Sequence, residues 1–429
     1  MVIKCLNQGT KCIDWEVYQM ISDNFQFGLN FRIEWSLSFY ENQPYKSLFM
    51  RKYTTIVSIA MLLPFLSFAQ TPVDSKATTK TKNLLTNLHT VADKGFMFGH
   101  QDDQAYGVGW HADEGESDVK AVVGKFPAVH GWDLGKDLTS DMNIDSVNYE
   151  NMKSWIKATY KRGGLNSFSF HMDNLTTGGD SWDKSPSVAD ILPGGSKHSA
   201  FNEQLDLLAA FVKDCKKAPM VFRPWHEHNG NWFWWGKGNC TEEEYIALFR
   251  YTVDYLKNEK KIHNLLYAFS PDGSRWPLND EAEQTYLYGY PGDDYVDIIG
   301  LDDYEHVGRN KSIPVEEQKK HLVGRLKIIT KIAEERGKVA ALTETGLESV
   351  ANTTWFTDVI LNPIKENQDE IKIAWLLVWR NSNLNDYHYY APYPGHSSVP
   401  DFKTFEQDQF TYFESDLSNL YKKAKTPKK

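Results

Sequence analysis

Residues 201–229 read FNEQLDLLAAFVKDCKKAPMVFRPWHEHN. An amphipathic stretch, Phe201–Lys213, gives way to a four-residue apolar run, Met220–Arg223, and the run leads into His226-Glu227-His228-Asn229. A helical pattern, a short strand and then a knot of ionisable side chains form one repeating unit. The same order recurs from Thr78 onward. Further apolar runs fall at Gly95–Gly99, Phe126–His130, Leu165–Phe170, Leu265–Phe269, Val296–Leu301, Val339–Thr343 and Ile373–Trp379, which makes eight in all. Amphipathic stretches at Asn148–Lys161, Glu242–Lys257, Val315–Arg336 and Thr354–Asn367 lie between them. Alternating strand and helix predicts a parallel sheet, and eight units predict its closure into a single (β/α)8 barrel.

The strand ends carry the chemistry. The other seven are followed by His100-Gln101-Asp102-Asp103, Trp132-Asp133, His171-Met172-Asp173-Asn174, Asp272, Asp302-Asp303-Tyr304, Glu344 and Arg380-Asn381. In a barrel these ends converge on one face, where the active site sits. Two carboxylates stand out, Glu227 after the fourth strand and Glu344 after the seventh. Hydrolysis of a glycosidic bond needs one protonated carboxyl for the leaving oxygen and one ionised carboxyl for the anomeric carbon. The aromatic content agrees: the chain has 14 Trp and 22 Tyr, with Trp225, Trp232, Trp234 and Trp235 close together. Asn229-Gly230-Asn231 places that cluster on a loop, where indole faces suit the C–H faces of a sugar ring. A core cluster is the alternative. Strict strand alternation would send Glu227 to the face opposite His226 and His228, so the strand has to end or bulge there.

Charge excludes a nucleic-acid partner, since 47 Lys/Arg stand against 57 Asp/Glu, a net −10, the wrong sign for binding phosphates. The closing KKAKTPKK reads as a solvated end. Residues 50–70, MRKYTTIVSIAMLLPFLSFAQ, have a basic start, an apolar run from Ile56 to Phe68 and small residues at Ser67 and Ala69. That order predicts a signal peptide cut after Ala69, because the run is short for a membrane span. Residues 1–49 then read as an upstream extension, with Met50 as a possible initiator, and 70–429 as the catalytic domain. The expected location is periplasmic or extracellular. No cysteine stands directly after the predicted cut, so no lipid anchor is expected. Cys215 and Cys240 remain downstream, as a disulfide or as two thiols.

The segment Val221–Gly236, VFRPWHEHNGNWFWWG, resembles the acid/base motif of glycoside hydrolase family 26, best known for β-mannanases, and LTETG around Glu344 resembles its nucleophile motif. FGHQDD (98–103), HGWDLG (130–135), FSFHMDN (168–174), GLDDY (300–304) and WLLVWR (375–380) extend the resemblance along the chain. It implies a retaining reaction with Glu227 as acid/base and Glu344 as nucleophile. It implies that Tyr304 orients the nucleophile, that His226 meets the sugar, and that His171, Trp232, Trp379 and Arg380 line the nearest sugar sites. Arg380 or donated hydrogen bonds would supply the nucleophile with its counter-charge. The expected substrate is β-mannan or manno-oligosaccharide, acted on by a monomer without cofactor or metal. β-1,3-Xylan and mixed-linkage β-glucan are alternative substrates. Two rival readings are a metallohydrolase using His100, Asp102, His171, Asp173, His226 and His228, and a catalytically silent carbohydrate-binding protein.

Overall fold

Apolar runs of four to seven residues need burial on both faces, and a closed barrel provides it. The computed structural model describes residues 71–382 and 387–423. The chain separates after residue 67 into two units, and the described residues all belong to the second. The upstream extension, the signal segment and most of the basic tail lie outside the described residues.

Eight parallel strands form the barrel: β1 (Phe96–Gln101), β2 (Val129–Asp133), β3 (Leu165–Ser169), β4 (Met220–Arg223), β5 (Leu265–Phe269), β6 (Ile298–Asp303), β7 (Val339–Thr345) and β8 (Ile373–Val378). Each pairs with the next, and β8 pairs with β1, Met97 opposite Trp375 and His100 opposite Val378, which closes the ring. A two-residue strand, β9 (Thr411–Tyr412), adds to β1. Alternation divides the apolar residues between two cores. Met97, Val129, Leu165, Val221, Leu266, Ile298 and Val339 share one cluster inside the barrel. Their neighbours Phe98, Phe168, Phe222, Tyr267, Ile299 and Ala340 join the other, which includes helix residues such as Leu205, Leu248 and Leu326. The inside is tight at Gly300, where a Cβ would come within 2.8 Å of both Ser270 and Thr343.

One end of the barrel is plugged. The helix Thr79–Ala92, capped by the Thr78 hydroxyl, brings Leu84, Leu85 and Leu88 to the inner core. Leu420 and Tyr421 join them, held by hydrogen bonds that the side-chain amides of Asn87 and Asn83 donate to Leu420 O (2.7 Å) and Tyr421 O (2.9 Å). The mouth at the strands' C-terminal ends is left for chemistry. Among the described residues, Cys215 and Cys240 are free thiols, and no described helix is long and apolar enough to cross a membrane.

Strand boundaries differ from the sequence expectation mainly at the mouth: β3 and β8 stop one residue short of Phe170 and Trp379, but four others run on. β1, β2, β6 and β7 each run two or three residues further toward the mouth, through His100-Gln101, Gly131-Trp132-Asp133, Asp302-Asp303 and Glu344-Thr345. Polar residues end an apolar run without ending the backbone ladder. Residue 127, expected in the second strand, is a proline without an N–H to give and lies before β2.

Candidate active site

Two local breaks in strand geometry aim the central carboxylates. β4 ends at Arg223, and the chain then turns with Trp225 and Glu227 both in the left-handed region, φ 54° and 52°. Glu227 N donates to Ser270 O at 2.9 Å, which ties the turn to the end of β5. The alternation problem posed by His226 and Glu227 is solved by the strand stopping three residues earlier. Glu344 lies inside β7. There Leu301 pairs with Leu342, but Asp302 pairs with Glu344, so β7 carries one extra residue between these pairs. The register against β8 shifts at the same place. This bulge brings Glu344 opposite Asp302, where strict alternation from Ala341 would turn it away.

Arg223 binds the two acids together. Its Nη1 donates to Asp302 Oδ2 at 2.5 Å and its Nη2 donates to Glu344 Oε2. The Tyr304 hydroxyl donates to the other oxygen, Glu344 Oε1, at 2.9 Å. Both oxygens of Glu344 therefore accept a bond, one from a cation, which fixes the plane of the group. Asp302 Oδ1 accepts from the Thr343 hydroxyl at 2.7 Å.

Glu227 has different surroundings. Its Oε2 accepts one bond, from Trp232 Nε1 at 2.7 Å. Burial raises its acid well above the usual carboxylate range, the negative charges of Glu344, Asp272 and Asp302 add to this, and Arg223 only partly offsets them. Asp272 is itself raised to about 6, chiefly by burial. His226 is pushed well below the ordinary histidine value by burial and then by the charges of Arg223 and His171, so it stays neutral. Burial opposes charge on His171, but Asp133, 2.6 Å from Nδ1, outweighs it and raises His171.

These groups line one open cleft of about 600 Å³, with His171, Trp182, His226, Glu227, Trp232, Asp272, Tyr304, Glu344, Trp379 and Tyr390 among its walls. A cleft of that size accepts several sugar rings. A family model, glycosyl hydrolase family 26, matches residues 73–390. The chain belongs to this family. It is 32% identical over 353 residues to a mannan endo-1,4-β-mannosidase of Bifidobacterium adolescentis, which is 77% of this chain and 34% of that protein. It therefore spans about a third of that relative's length. It is also similar to the solved structure of a family 26 β-mannanase from Bacteroides ovatus, with 40% identity, a TM-score of 0.74, and coverage of 80% of this chain and 98% of that one. A double mutant of a Cellulomonas fimi endo-β-1,4-mannanase matches at 35% identity and a TM-score of 0.73, over 82% of this chain and 79% of that one.

Within this family 26 barrel, Glu227, Glu344, His171, His226, Trp232, Tyr304 and Trp379 all line the cleft. Arg380 is not among the cleft residues. It pairs with Asp145 at 3.0 Å, and its guanidinium lies 5.9 Å from the Tyr106 ring centroid. The counter-charge at Glu344 comes instead from Arg223, across the barrel. The tryptophan cluster also splits. Trp225, Trp234 and Trp235 are fully buried, and their indole N–H groups donate to Thr252 Oγ1, Met172 O and His226 O. Three of the four are core, and only Trp232 reaches the cleft. His100 pairs with Asp103, and His228 stacks on Tyr245 with Nε2 against Tyr288 O, so neither serves the cleft. Among the described residues no three His, Cys, Asp or Glu are grouped as a metal ion would need. Trp182, 46% exposed and stacked on His171 at 5.4 Å, went unnoticed because its segment shows no periodic pattern. Arg275 was missed for the same reason.

Proposed function

We propose that this chain is a retaining β-1,4-mannanase in which Glu227 is the acid/base and Glu344 the nucleophile. The observation that carries the reading is the contrast between two carboxyls in one cleft. Glu227 is buried beside Trp232 with its proton favoured, while Glu344 is held by a guanidinium and a phenol. In a double displacement Glu227 protonates the leaving oxygen as Glu344 attacks the anomeric carbon; Glu227 then takes a proton from the water that releases the sugar. Arg223 and Tyr304 hold the attacking group in line, at no cost in reorganisation. Neutral His226 and the faces of Trp379 and Trp182 serve sugar contacts, with His171 fixed by Asp133. Mannan as substrate is supported by the names of the relatives. Export rests on the segment 50–69.

Incubation with mannan, glucomannan, β-1,3-xylan and mixed-linkage β-glucan tests this. Shortening of the mannans, with the first product in the β configuration by NMR, is the expected result. Cleavage of xylan or glucan alone would remove the substrate reading, and binding without cleavage would remove the chemistry.

The charge of Asp272 gives a pH test. Its negative charge helps keep Glu227 protonated, so Asp272→Asn should lower the acid of Glu227. The alkaline limb of the kcat/KM profile, where the acid is lost, should move to lower pH. An unmoved limb would break the link between the two groups.

A further inference from the structure

Arg275 is a cation at the cleft that the chemistry above does not use. It ends the turn Gly273–Arg275 just after β5 and lines the cleft beside Asp272. Its guanidinium lies 4.9 Å from the centroid of the Trp232 ring, whose N–H donates to Glu227. Among the described residues its side chain has no hydrogen bond and no ion pair. A guanidinium carries five donors and no acceptor; here the exposed Arg275 group meets no hydrogen-bond acceptor among the described residues, and its charge acts on the Asp272 carboxyl beside it.

The turn that presents it is pinned on both sides. Arg325, on the helix Val315–Arg336 and only 5% exposed, donates from Nε to Gly273 O at 2.7 Å and from Nη2 to Trp276 O at 3.0 Å. Its guanidinium also lies 5.0 Å from the Trp276 ring centroid. On the cleft side, Asn229 exchanges two bonds with the Asp272 backbone, each 2.8 Å. Asp272 caps the turn by accepting from Ser274 N at 2.8 Å. The exposed Arg275 side chain is therefore carried on a backbone turn that is fixed on both sides. Trp232 is fixed too, since its ring packs so closely on Gly230 that a Cβ there would meet it at 2.2 Å.

The acid/base stands on the leaving-group side of the bond that breaks, because its proton goes to the leaving oxygen. Trp232 and Arg275 extend the cleft wall outward from that group. We propose that Arg275 is a specificity residue for the leaving-group sugar, binding its hydroxyls through these donors, and that Arg325 is the positioning residue that holds its turn. The proposal rests on Glu227 being the acid/base.

Two substrates separate this role from a structural one: mannotetraose, whose leaving group is a sugar, and an activated aryl β-mannobioside, whose leaving group is not. Arg275→Ala should lower kcat/KM on mannotetraose about tenfold, the worth of one hydrogen bond to a charged group, and change the aryl rate by less than about twofold. With the aryl donor and added mannobiose as acceptor, the share of glycosyl-enzyme passed to the acceptor should fall by a similar factor, because the acceptor occupies the same place. Arg275→Lys should restore part of both. Arg325→Met should reproduce the selective loss, with Arg325→Lys between it and the parent. Equal loss on both substrates, or an unchanged share of transfer, overturns the assignment of Arg275. Selective loss in Arg275→Ala with none in folded Arg325→Met removes the positioning role. The underlying reading fails separately: if Glu227→Ala lost equal activity on both substrates, Glu227 would not be the acid.

Discussion

Glu344→Ala should abolish turnover of every substrate, whereas Glu227→Ala should lose it chiefly where the leaving group needs a proton. The two carboxyls share a cleft, but only Glu344 is held by Arg223 and Tyr304, and burial raises the acid of Glu227. General acid catalysis is worth about 10²–10⁴-fold, and that factor should disappear from hydrolysis of mannan in Glu227→Ala. An aryl leaving group that departs as a stable anion should escape most of the penalty. Its glycosyl-enzyme should then accumulate, since no base remains to activate water, and azide should restore turnover by attacking without one. Glu344→Ala offers no such escape, because the attacking atom is gone. Mass spectrometry after a 2-fluoro-mannosyl inhibitor should place the label on the peptide containing Thr343-Glu344-Thr345. A label on another peptide, or a first product of inverted configuration, would sink the assignment.

All eight barrel strands were legible in the sequence because each contains a run apolar enough to be buried on both faces. Their ends were not, since the residues that build the mouth are the ones that interrupt such a run: Asp302 and Asp303 look like a turn, yet both sit in the β6 ladder. The catalytic candidates were found by position and motif, but what aims them was hidden. A bulge at Glu344 has no signature in LTETG, and the left-handed turn at Glu227 uses no glycine at that position. Arg223 was visible only as a neighbour of Glu227. Its partners come from β6 and β7, and a contact between residues 223 and 344 depends on closure of the barrel, which sequence spacing does not encode. The tryptophan loop was misjudged for a related reason. An indole that stacks on sugar and one that packs in a core have the same composition, and only the buried acceptors of Trp225, Trp234 and Trp235 distinguish them.

Arg223→Met should damage fold and catalysis together, and the two effects should be separable. The guanidinium is buried and pairs with two buried carboxyl groups, Asp302 and Glu344. Removing one partner of a buried ion pair costs about 3–5 kcal/mol, because the charge left behind has lost both solvent and counter-ion. Asp302 is already raised well above the usual range, first by burial and then, against the pull of Arg223, by the charge of Glu344. Without the cation it should rise further and take up a proton. A carboxyl raised in the folded state stabilises the fold at low pH and loses that contribution as pH climbs through its folded value. The stability deficit of Arg223→Met should therefore be largest at alkaline pH and shrink on acidification, as read by urea unfolding across the pH range. Adding Asp302→Asn removes one of the stranded charges and should recover part of the lost stability. It should not recover activity, since Glu344 would still face the substrate without its cation and with one oxygen unheld. Arg223→Lys should fall between, because an ammonium keeps the charge but lacks the fork that reaches two carboxylates at once. Unchanged stability in Arg223→Met, or activity regained by Asp302→Asn, would show that this guanidinium does not hold Glu344 for attack.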